Sequence, residues 1–126
     1  MQMQRNPINS HRELIVWQKS LDLVSLIYSL SKKFPKEELF GLTSQIRRAT
    51  VSIPSNIAEG RSRNSRKDFA HFLHIALGSA AETETQLEIA KRLKYVEEVD
   101  YNEAMSLLNQ VGKMLVVMVE KLKARS

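Results

Sequence analysis

The sequence predicts an all-α protein, an antiparallel up-down-up-down four-helix bundle. Glycine and proline are scarce, with four and three copies in 126 residues, so long segments contain no helix breaker. Along four such segments apolar residues recur at spacings of three and four, and only short connections separate the segments. A chain of this length is typical of one domain with its own core. We place the bundle at residues 13–124 and a flexible N-terminus at residues 1–12.

The first helix is predicted to run from Glu13 to Lys33 and to end at Phe34-Pro35, because proline does not continue a helix. Five apolar residues at helical spacing define its predicted core face: Leu14, Trp17, Leu21, Val24 and Tyr28. A short connection at residues 36–40 leads to the second helix.

The second helix carries a stripe of the same period, formed by Leu42, Ile46, Ala49, Ile53 and Ile57. Pro54 lies inside this stripe, where it removes a backbone donor and opposes the carbonyl of Thr50. Because the stripe continues in phase beyond the proline, we predict one helix kinked at Pro54. A break before the proline with a newly capped turn is the alternative. Gly60 is predicted to end the helix in left-handed geometry.

The third helix is predicted to begin at a capping box formed by Ser65 and Asp68 and to run to about Leu93. Its core stripe consists of Phe69, Leu73, Ala76, Ala80, Leu87 and Ala90. A second capping box at Asp100 and Glu103 is predicted to start the fourth helix. The core face of that helix consists of Ala104, Leu108, Val111, Leu115, Met118 and Leu122.

Three of the four helices carry apolar residues outside their core stripes, namely Val51, Ile75, Ile89, Val116 and Val119. Scattered apolar residues are ordinary on protein surfaces. Their repetition on three helices favours a second buried surface instead, which in a single-domain chain lies between subunits. The sequence therefore predicts a homo-oligomer with these five residues at its interface.

The excess positive charge is concentrated in one segment. Between Gly41 and Lys67 there is a single acidic residue, Glu59, and six basic residues: Arg47, Arg48, Arg61, Arg63, Arg66 and Lys67. This balance equals the net charge of +5 of the whole chain. Dense arginine suits phosphate oxygens and indicates a polyanionic partner. No aromatic residue is interleaved, so contacts to RNA or DNA phosphates are expected rather than base stacking. A solvated basic turn is the alternative.

No catalytic or cofactor site is predicted. The glycines are isolated and no serine has the context of a nucleophile elbow. His71 and His74 lie one helical turn apart, but the Glu-x-x-His pairs of bundle metal sites are missing, so we expect exposed histidines and no metal. Glu59 is expected to pair with a neighbouring arginine. The chain has no cysteine and no apolar run long enough to span a membrane, which favours a cytoplasmic protein.

Four stretches of the sequence resemble a known family. They are V-W-Q-K-S at residues 16–20, the F-P and F-G-L elements within residues 34–42, Q-I-R-R-A-T-V-S-I-P-S-N-I-A-E-G at residues 45–60, and F-L-H-I-A-L-G-S-A-A-E-T-E-T-Q-L at residues 72–87. Together they resemble bacterial four-helix-bundle proteins first noted within intervening sequences of large-subunit ribosomal RNA genes. The accessory variability protein of diversity-generating retroelements is a relative of that family.

The resemblance covers residues 13–123 and implies an antiparallel four-helix bundle that assembles as a homopentamer and has no known enzymatic activity. For the retroelement relative it implies a basic surface that engages nucleic acid and a reverse transcriptase. We therefore expect a non-enzymatic, oligomeric protein that binds RNA or DNA and needs no cofactor. A protein-interaction scaffold, or an accessory subunit of a polymerase or reverse transcriptase, is the alternative.

Overall fold

The computed structural model describes residues 10–124 and consists of four long helices. They are α1 (Ile15–Ser31), α2 (Leu42–Arg61), α3 (Arg66–Arg92) and α4 (Glu98–Ala124). Short 3-10 helices at His11–Glu13 and Lys36–Glu38 precede α1 and α2. No residue between 10 and 124 is in a strand. The predicted all-α fold class is confirmed.

Contacts between side chains show that neighbouring helices run antiparallel. Thr50 on α2 lies beside Thr83 on α3, whereas Ser52, further along α2, lies beside Ser79, earlier on α3. The same relation holds for the other contacts between helices, among them Glu88 with Tyr101, Arg66 with Lys121, and Lys19 with Gln110. Within the described part the backbone of each helix lies close to those of two neighbours, and the backbones of the diagonal pairs stay further apart. This is the predicted up-down-up-down bundle.

The core contains the predicted stripes of α2, α3 and α4. All five stripe residues of α2 are buried. In α3 and α4 the stripes are buried apart from Phe69, Met118 and Leu122, which are half-buried and pack against the core. Periodicity therefore identified the inward faces of three helices.

The predicted core face of α1 is wrong. The residues of α1 that are buried are Val16, Ser20, Leu23, Ile27, Leu30 and Ser31, whereas Leu21 and Tyr28 are each 38% exposed. Because α1 is apolar on two sides, helical spacing fits either face. The hydroxyl of Ser20 donates to the carbonyl oxygen of Trp17 at 2.7 Å, so this small polar residue is satisfied inside the core.

The residues before α1 are in contact with it. Ser10 caps the first 3-10 helix by accepting a hydrogen bond from the backbone N–H of Arg12. The rings of His11 and Trp17 meet edge to face, with 4.9 Å between their centroids. The predicted flexible N-terminus at residues 1–12 otherwise falls on residues 1–9, which lie outside the described residues.

α2 continues without interruption through Pro54, so the alternative with a helix break is wrong. On the N-terminal side, the buried hydroxyl of Thr50 donates to the carbonyl oxygen of Ile46 at 2.7 Å. On the C-terminal side, the amide of Asn56 donates to the carbonyl oxygen and the hydroxyl of Ser52 at 2.8 and 2.9 Å. Side-chain hydrogen bonds thus flank the position where proline lacks a donor.

The two predicted capping boxes have different outcomes. Ser65 caps α3 as predicted, since its hydroxyl accepts from the backbone N–H of Asp68 at 3.0 Å. α4 instead begins at Glu98, so Asp100 lies inside its first turn. The connection before α4 contains Lys94, which has a φ of 64° and is the one described non-glycine residue with positive φ. This left-handed residue reverses the chain directly after α3 and lets α4 start early.

Gly60 does not end α2 in left-handed geometry. It is a buried helical residue, and none of the glycines has a positive φ. A Cβ atom at Gly60 would lie 2.8 Å from the Cβ of Phe72 and 3.0 Å from the Cδ1 of Phe69. The first distance is too short for a methyl group and the second is unusually tight. The missing side chain therefore lets α2 and α3 approach closely beside the turn that joins them.

Gly60→Ala is expected to lower the free energy of unfolding by about 1–3 kcal/mol, because the added methyl group overpacks the contact with α3. Gly78→Ala is the matched control, since a Cβ at Gly78 meets no atom within 4 Å. This control should gain up to about 1 kcal/mol from the higher helix propensity of alanine. Urea denaturation followed by circular dichroism measures both changes. Equal stabilisation of the two variants would contradict the packing role of Gly60.

Candidate nucleic-acid interface

The bundle brings basic residues from two distant segments together at one end. Because the helices alternate in direction, the turn between α2 and α3 lies beside the last turn of α4. A direct contact joins them, since Nη2 of Arg66 donates to the backbone carbonyl oxygen of Lys121 at 3.1 Å. We call this surface the basic end and define it by Arg61, Arg63, Arg66, Lys67, Lys121 and Lys123.

Lys121 and Lys123 were missed as site residues at the level of sequence, where only the charge-rich segment stood out. The predicted topology indicates that these two lysines belong to the site. In an up-down-up-down bundle the C-terminus of the fourth helix and the turn between the second and third helices lie at the same end. The basic end is therefore a composite of residues that are more than fifty positions apart in the chain.

Arg47 and Arg48 lie outside the basic end. Arg48 and Arg61 are thirteen residues apart on α2, which corresponds to about 20 Å along the helix axis. The structure therefore brings together four of the six predicted phosphate-binding residues. Arg48 is exposed, and its side chain forms no hydrogen bond or ion pair with any residue from 10 to 124.

The side chain of Arg47 is engaged by the last turn of α1. Its Nε donates to the hydroxyl of Ser31 at 2.8 Å and its Nη2 to the carbonyl oxygen of Tyr28 at 3.4 Å. The guanidinium carbon also lies 4.6 Å from the centroid of the Tyr28 ring. A cation is favourable beside the carbonyl groups of a helix C-terminus. Arg47 therefore fastens the start of α2 to the last turn of α1.

Arg63 is held on two sides. Its Nη2 donates to Oε2 of Glu59 at 2.6 Å, and its guanidinium carbon lies 4.7 Å from the centroid of the Phe72 ring. The side chains of Arg63 and Glu59 are 44% and 50% exposed, so solvent screens this ion pair, and such pairs contribute about 1 kcal/mol or less. The predicted pairing of Glu59 with a neighbouring arginine is confirmed.

Four basic residues of this end have unpaired side chains within the described part of the chain. Lys67, Lys121 and Lys123 are exposed, and Arg61 is half-buried. None of these four side chains forms a hydrogen bond or an ion pair there, since Lys121 meets Arg66 through its backbone carbonyl oxygen. The adjacent N-terminus of α3 adds the positive end of its helix dipole. An anion can therefore bind these four cations at the basic end without breaking an existing side-chain contact.

The opposite end of the bundle carries the residues with shifted pKa values. The hydroxyl of Tyr101 and the Nε of Arg92 donate to the carboxylate of Glu88 at 2.8 and 3.0 Å, which lowers the pKa of Glu88. The same hydrogen bond to Glu88 raises the pKa of Tyr101, and a bond of 3.0 Å to Glu38 raises that of Tyr95. The bond between Tyr95 and Glu38 fastens the two connections at this end to each other, and the bond between Tyr101 and Glu88 joins α4 to α3.

Large apolar side chains are also exposed at this end: Leu39 at 51%, Phe40 at 93%, Leu93 at 50% and Val99 at 74%. Sequence reasoning missed them because Leu39 and Phe40 lie in a connection, outside any helical stripe. The sequence does indicate Leu39 and Phe40, because two adjacent apolar residues are unusual in a connection between helices, which is normally polar.

The five predicted interface residues divide into two groups. Val51, Ile75, Ile89 and Val116 are 38–43% exposed on the sides of the bundle. Val119 is only 5% exposed and belongs to the core of its own chain. It follows Leu115 by one helical turn and so shares the inward face of α4. We therefore remove Val119 from the candidate interface.

The described part of the chain shows neither a metal centre nor a membrane span. His71 and His74 are exposed, and no group of three or more His, Cys, Asp or Glu residues within residues 10–124 is arranged to hold a metal ion. None of the helices between residues 10 and 124 combines the length and the apolar character needed to cross a bilayer.

Comparison with known proteins relates the chain to one family. A family model described as 23S rRNA-intervening sequence protein matches residues 12–117. A crystal structure from Bacteroides thetaiotaomicron, described as a protein with unknown function from the S23 ribosomal protein family, is similar with a TM-score of 0.78 and 33% sequence identity. The similarity covers 83% of this chain and 98% of that one. Neither description indicates an enzyme, and no curated protein matches. The chain belongs to the 23S rRNA-intervening sequence protein family.

Proposed function

We propose that this protein is a non-enzymatic, oligomeric nucleic-acid-binding protein whose basic end contacts the phosphates of RNA or DNA. The observation that carries the proposal is the junction of the α2–α3 turn with the last turn of α4. Residues 59–68 and 120–124 hold six basic residues against three acidic ones, Glu59, Asp68 and Glu120. Since Glu59 already pairs with Arg63, the surface favours polyanions.

The mode of binding follows from the residues present. Arginine and lysine contact the phosphate backbone, which supplies most of the affinity in sequence-independent binding. The two phenylalanine rings nearest the turn are both half-buried: Phe69 packs against the core and Phe72 is covered by Arg63, so base stacking is not expected there. The family description refers to intervening sequences of 23S rRNA. Duplex RNA derived from 23S rRNA is therefore the first nucleic acid to test.

Self-association is the second part of the proposal. The exposed aliphatic residues Val51, Ile75, Ile89 and Val116 lie on the sides of the bundle, away from the basic end. Contacts through these sides bury apolar surface and leave the ends accessible. Each added subunit contributes another basic end, so assembly raises the affinity for a long polyanion. The homopentamer implied by the sequence resemblance is the assembly that we propose.

A protein-interaction scaffold, or an accessory subunit of a polymerase or reverse transcriptase, is the second candidate function. Two observations favour it. Phe40 is 93% exposed at the end opposite the basic end, and an apolar groove of about 600 Å³ lies between α3 and α4. Exposed apolar surfaces of this kind mark protein contacts. In this alternative the basic end binds an acidic protein surface and no nucleic acid.

Replacing Arg61, Lys67 and Lys123 together by glutamine is expected to weaken binding to duplex RNA from 23S rRNA roughly 100-fold at low salt. On a DNA duplex of equal length, the slope of log affinity against log salt concentration should fall by about 0.9 for each phosphate that the variant no longer neutralises. Fluorescence anisotropy at several salt concentrations measures both quantities.

The matched control replaces Lys32, Lys36 and Arg48 by glutamine, which removes the same charge from exposed positions outside the basic end. We expect less than a threefold change in this control at about 0.1 M salt, where charge effects are screened beyond about 10 Å. An equal loss of affinity in both triple variants would contradict the location of the site. Absence of binding by the wild-type protein at low salt would reject nucleic-acid binding and favour the scaffold.

Val51→Glu and Ile75→Glu are each expected to lower the mass of the assembly measured by light scattering, because an unpaired carboxylate is unfavourable inside an apolar interface. Asn102→Glu introduces the same charge at an exposed position on α4 and should leave the mass unchanged. A monomeric wild-type protein, or equal masses for all variants, would be inconsistent with these side surfaces as subunit contacts.

A further inference from the structure

Arg63 differs from the other arginines of the basic end because its guanidinium is held on two sides before any ligand binds, whereas that of Arg66 has one contact, with the carbonyl oxygen of Lys121. The guanidinium of Arg63 is fastened by the carboxylate of Glu59 at its edge and by the ring of Phe72 at its face. The two supports come from different helices, Glu59 from α2 and Phe72 from α3. Motion of the guanidinium in its plane and out of its plane is therefore restricted.

The supports are themselves anchored. The Cβ of Phe72 lies against the backbone of Gly60, where even a methyl group has no space. The ring of Phe72 also meets His71 edge to face, with 5.4 Å between the centroids. Glu59 lies one helical turn before Arg63, which is the spacing at which side chains of a helix meet. The orientation of Arg63 is thus set by the close contact between α2 and α3.

Arg63 keeps free donors in this arrangement. A guanidinium has five N–H donors, and within the described part of the chain Arg63 uses Nη2 alone, toward Glu59. A phosphodiester has two non-bridging oxygens that accept paired donors from one guanidinium. Arg63 can therefore bind a phosphate in a bidentate manner and keep its contacts with Glu59 and Phe72.

We propose that Arg63 is the phosphate contact that recognises a phosphodiester by geometry, with Phe72 and Glu59 as its positioning residues. This inference rests on the proposed nucleic-acid binding of the basic end. Arg61, Lys67 and Lys123 have no comparable supports and contribute charge. Arginine and lysine are not interchangeable at a stacked, bidentate site, so the identity of the side chain matters at Arg63 and not at Arg61.

The test compares two substitutions that conserve charge, Arg63→Lys and Arg61→Lys, in binding to duplex RNA from 23S rRNA. Arg63→Lys removes the planar guanidinium with its paired N–H donors and the fixed orientation of that group. We therefore expect this variant to bind about fivefold more weakly, with an unchanged slope of log affinity against log salt concentration. Arg61→Lys should stay within about twofold of the wild type, because it keeps the charge on which that contact depends. Equal affinities of the two variants would overturn the assignment.

Phe72→Leu provides a second readout, because it removes the ring face and leaves every charge in place. If Phe72 acts through Arg63, Phe72→Leu should weaken binding, and the double variant with Arg63→Lys should bind no more weakly than the weaker single variant. Additive losses of affinity would contradict the positioning role of Phe72. Circular dichroism checks that the variant is folded, and the comparison of Arg63→Lys with Arg61→Lys stands if it is not.

The outcomes separate this inference from the proposed function. If the wild-type protein does not bind duplex RNA or duplex DNA at low salt, the proposed function fails. If the wild-type protein binds and Arg63→Lys behaves like Arg61→Lys, only the geometric role of Arg63 fails.

Discussion

Close packing of α2 against α3 is the constraint on which the rest of the structure depends. Hydroxyl groups meet across this contact, since Ser79 donates to Ser52 at 2.8 Å and the hydroxyls of Thr50 and Thr83 are 3.4 Å apart. A shift of one helix by a turn would separate the buried hydroxyl of Ser79 from Ser52, so this hydrogen bond favours the observed register. Gly60 then allows the helices to close at the end where the basic turn begins. The placement of Arg63 and of the N-terminus of α3 follows from this register.

The two ends of the bundle have different chemistry. One combines the cations of the α2–α3 turn with those of the last turn of α4. The other has its acids engaged in hydrogen bonds and exposes Phe40. α3 contains 27 residues and so separates the two ends by about 40 Å. A polyanion at the basic end and a protein at the opposite end can therefore be bound at the same time.

Sequence periodicity predicted the fold and three of four core faces, because α2, α3 and α4 each have one face that is distinctly more apolar. It failed for α1, which is apolar on two sides, and for Val119, which lies in a run that is apolar all round. Which side of such a helix faces the core depends on how the neighbouring helices pack against it. The charge count identified four basic residues that the structure brings together at one end. It could not show that Arg47 is engaged by Tyr28 and Ser31, or that Lys121 joins the site, since both depend on contacts between distant segments.

The central claim is that the α2–α3 turn and the last turn of α4 act as one phosphate-binding surface. Its most direct test is an NMR titration of the ¹⁵N-labelled protein with duplex RNA from 23S rRNA. We predict that amide signals of residues 61–68 and 121–124 shift together, with the same dependence on RNA concentration, while those of Phe40 and Arg48 stay in place. Shifts that are confined to one of the two segments, or that centre on Phe40 or Arg48, would contradict it.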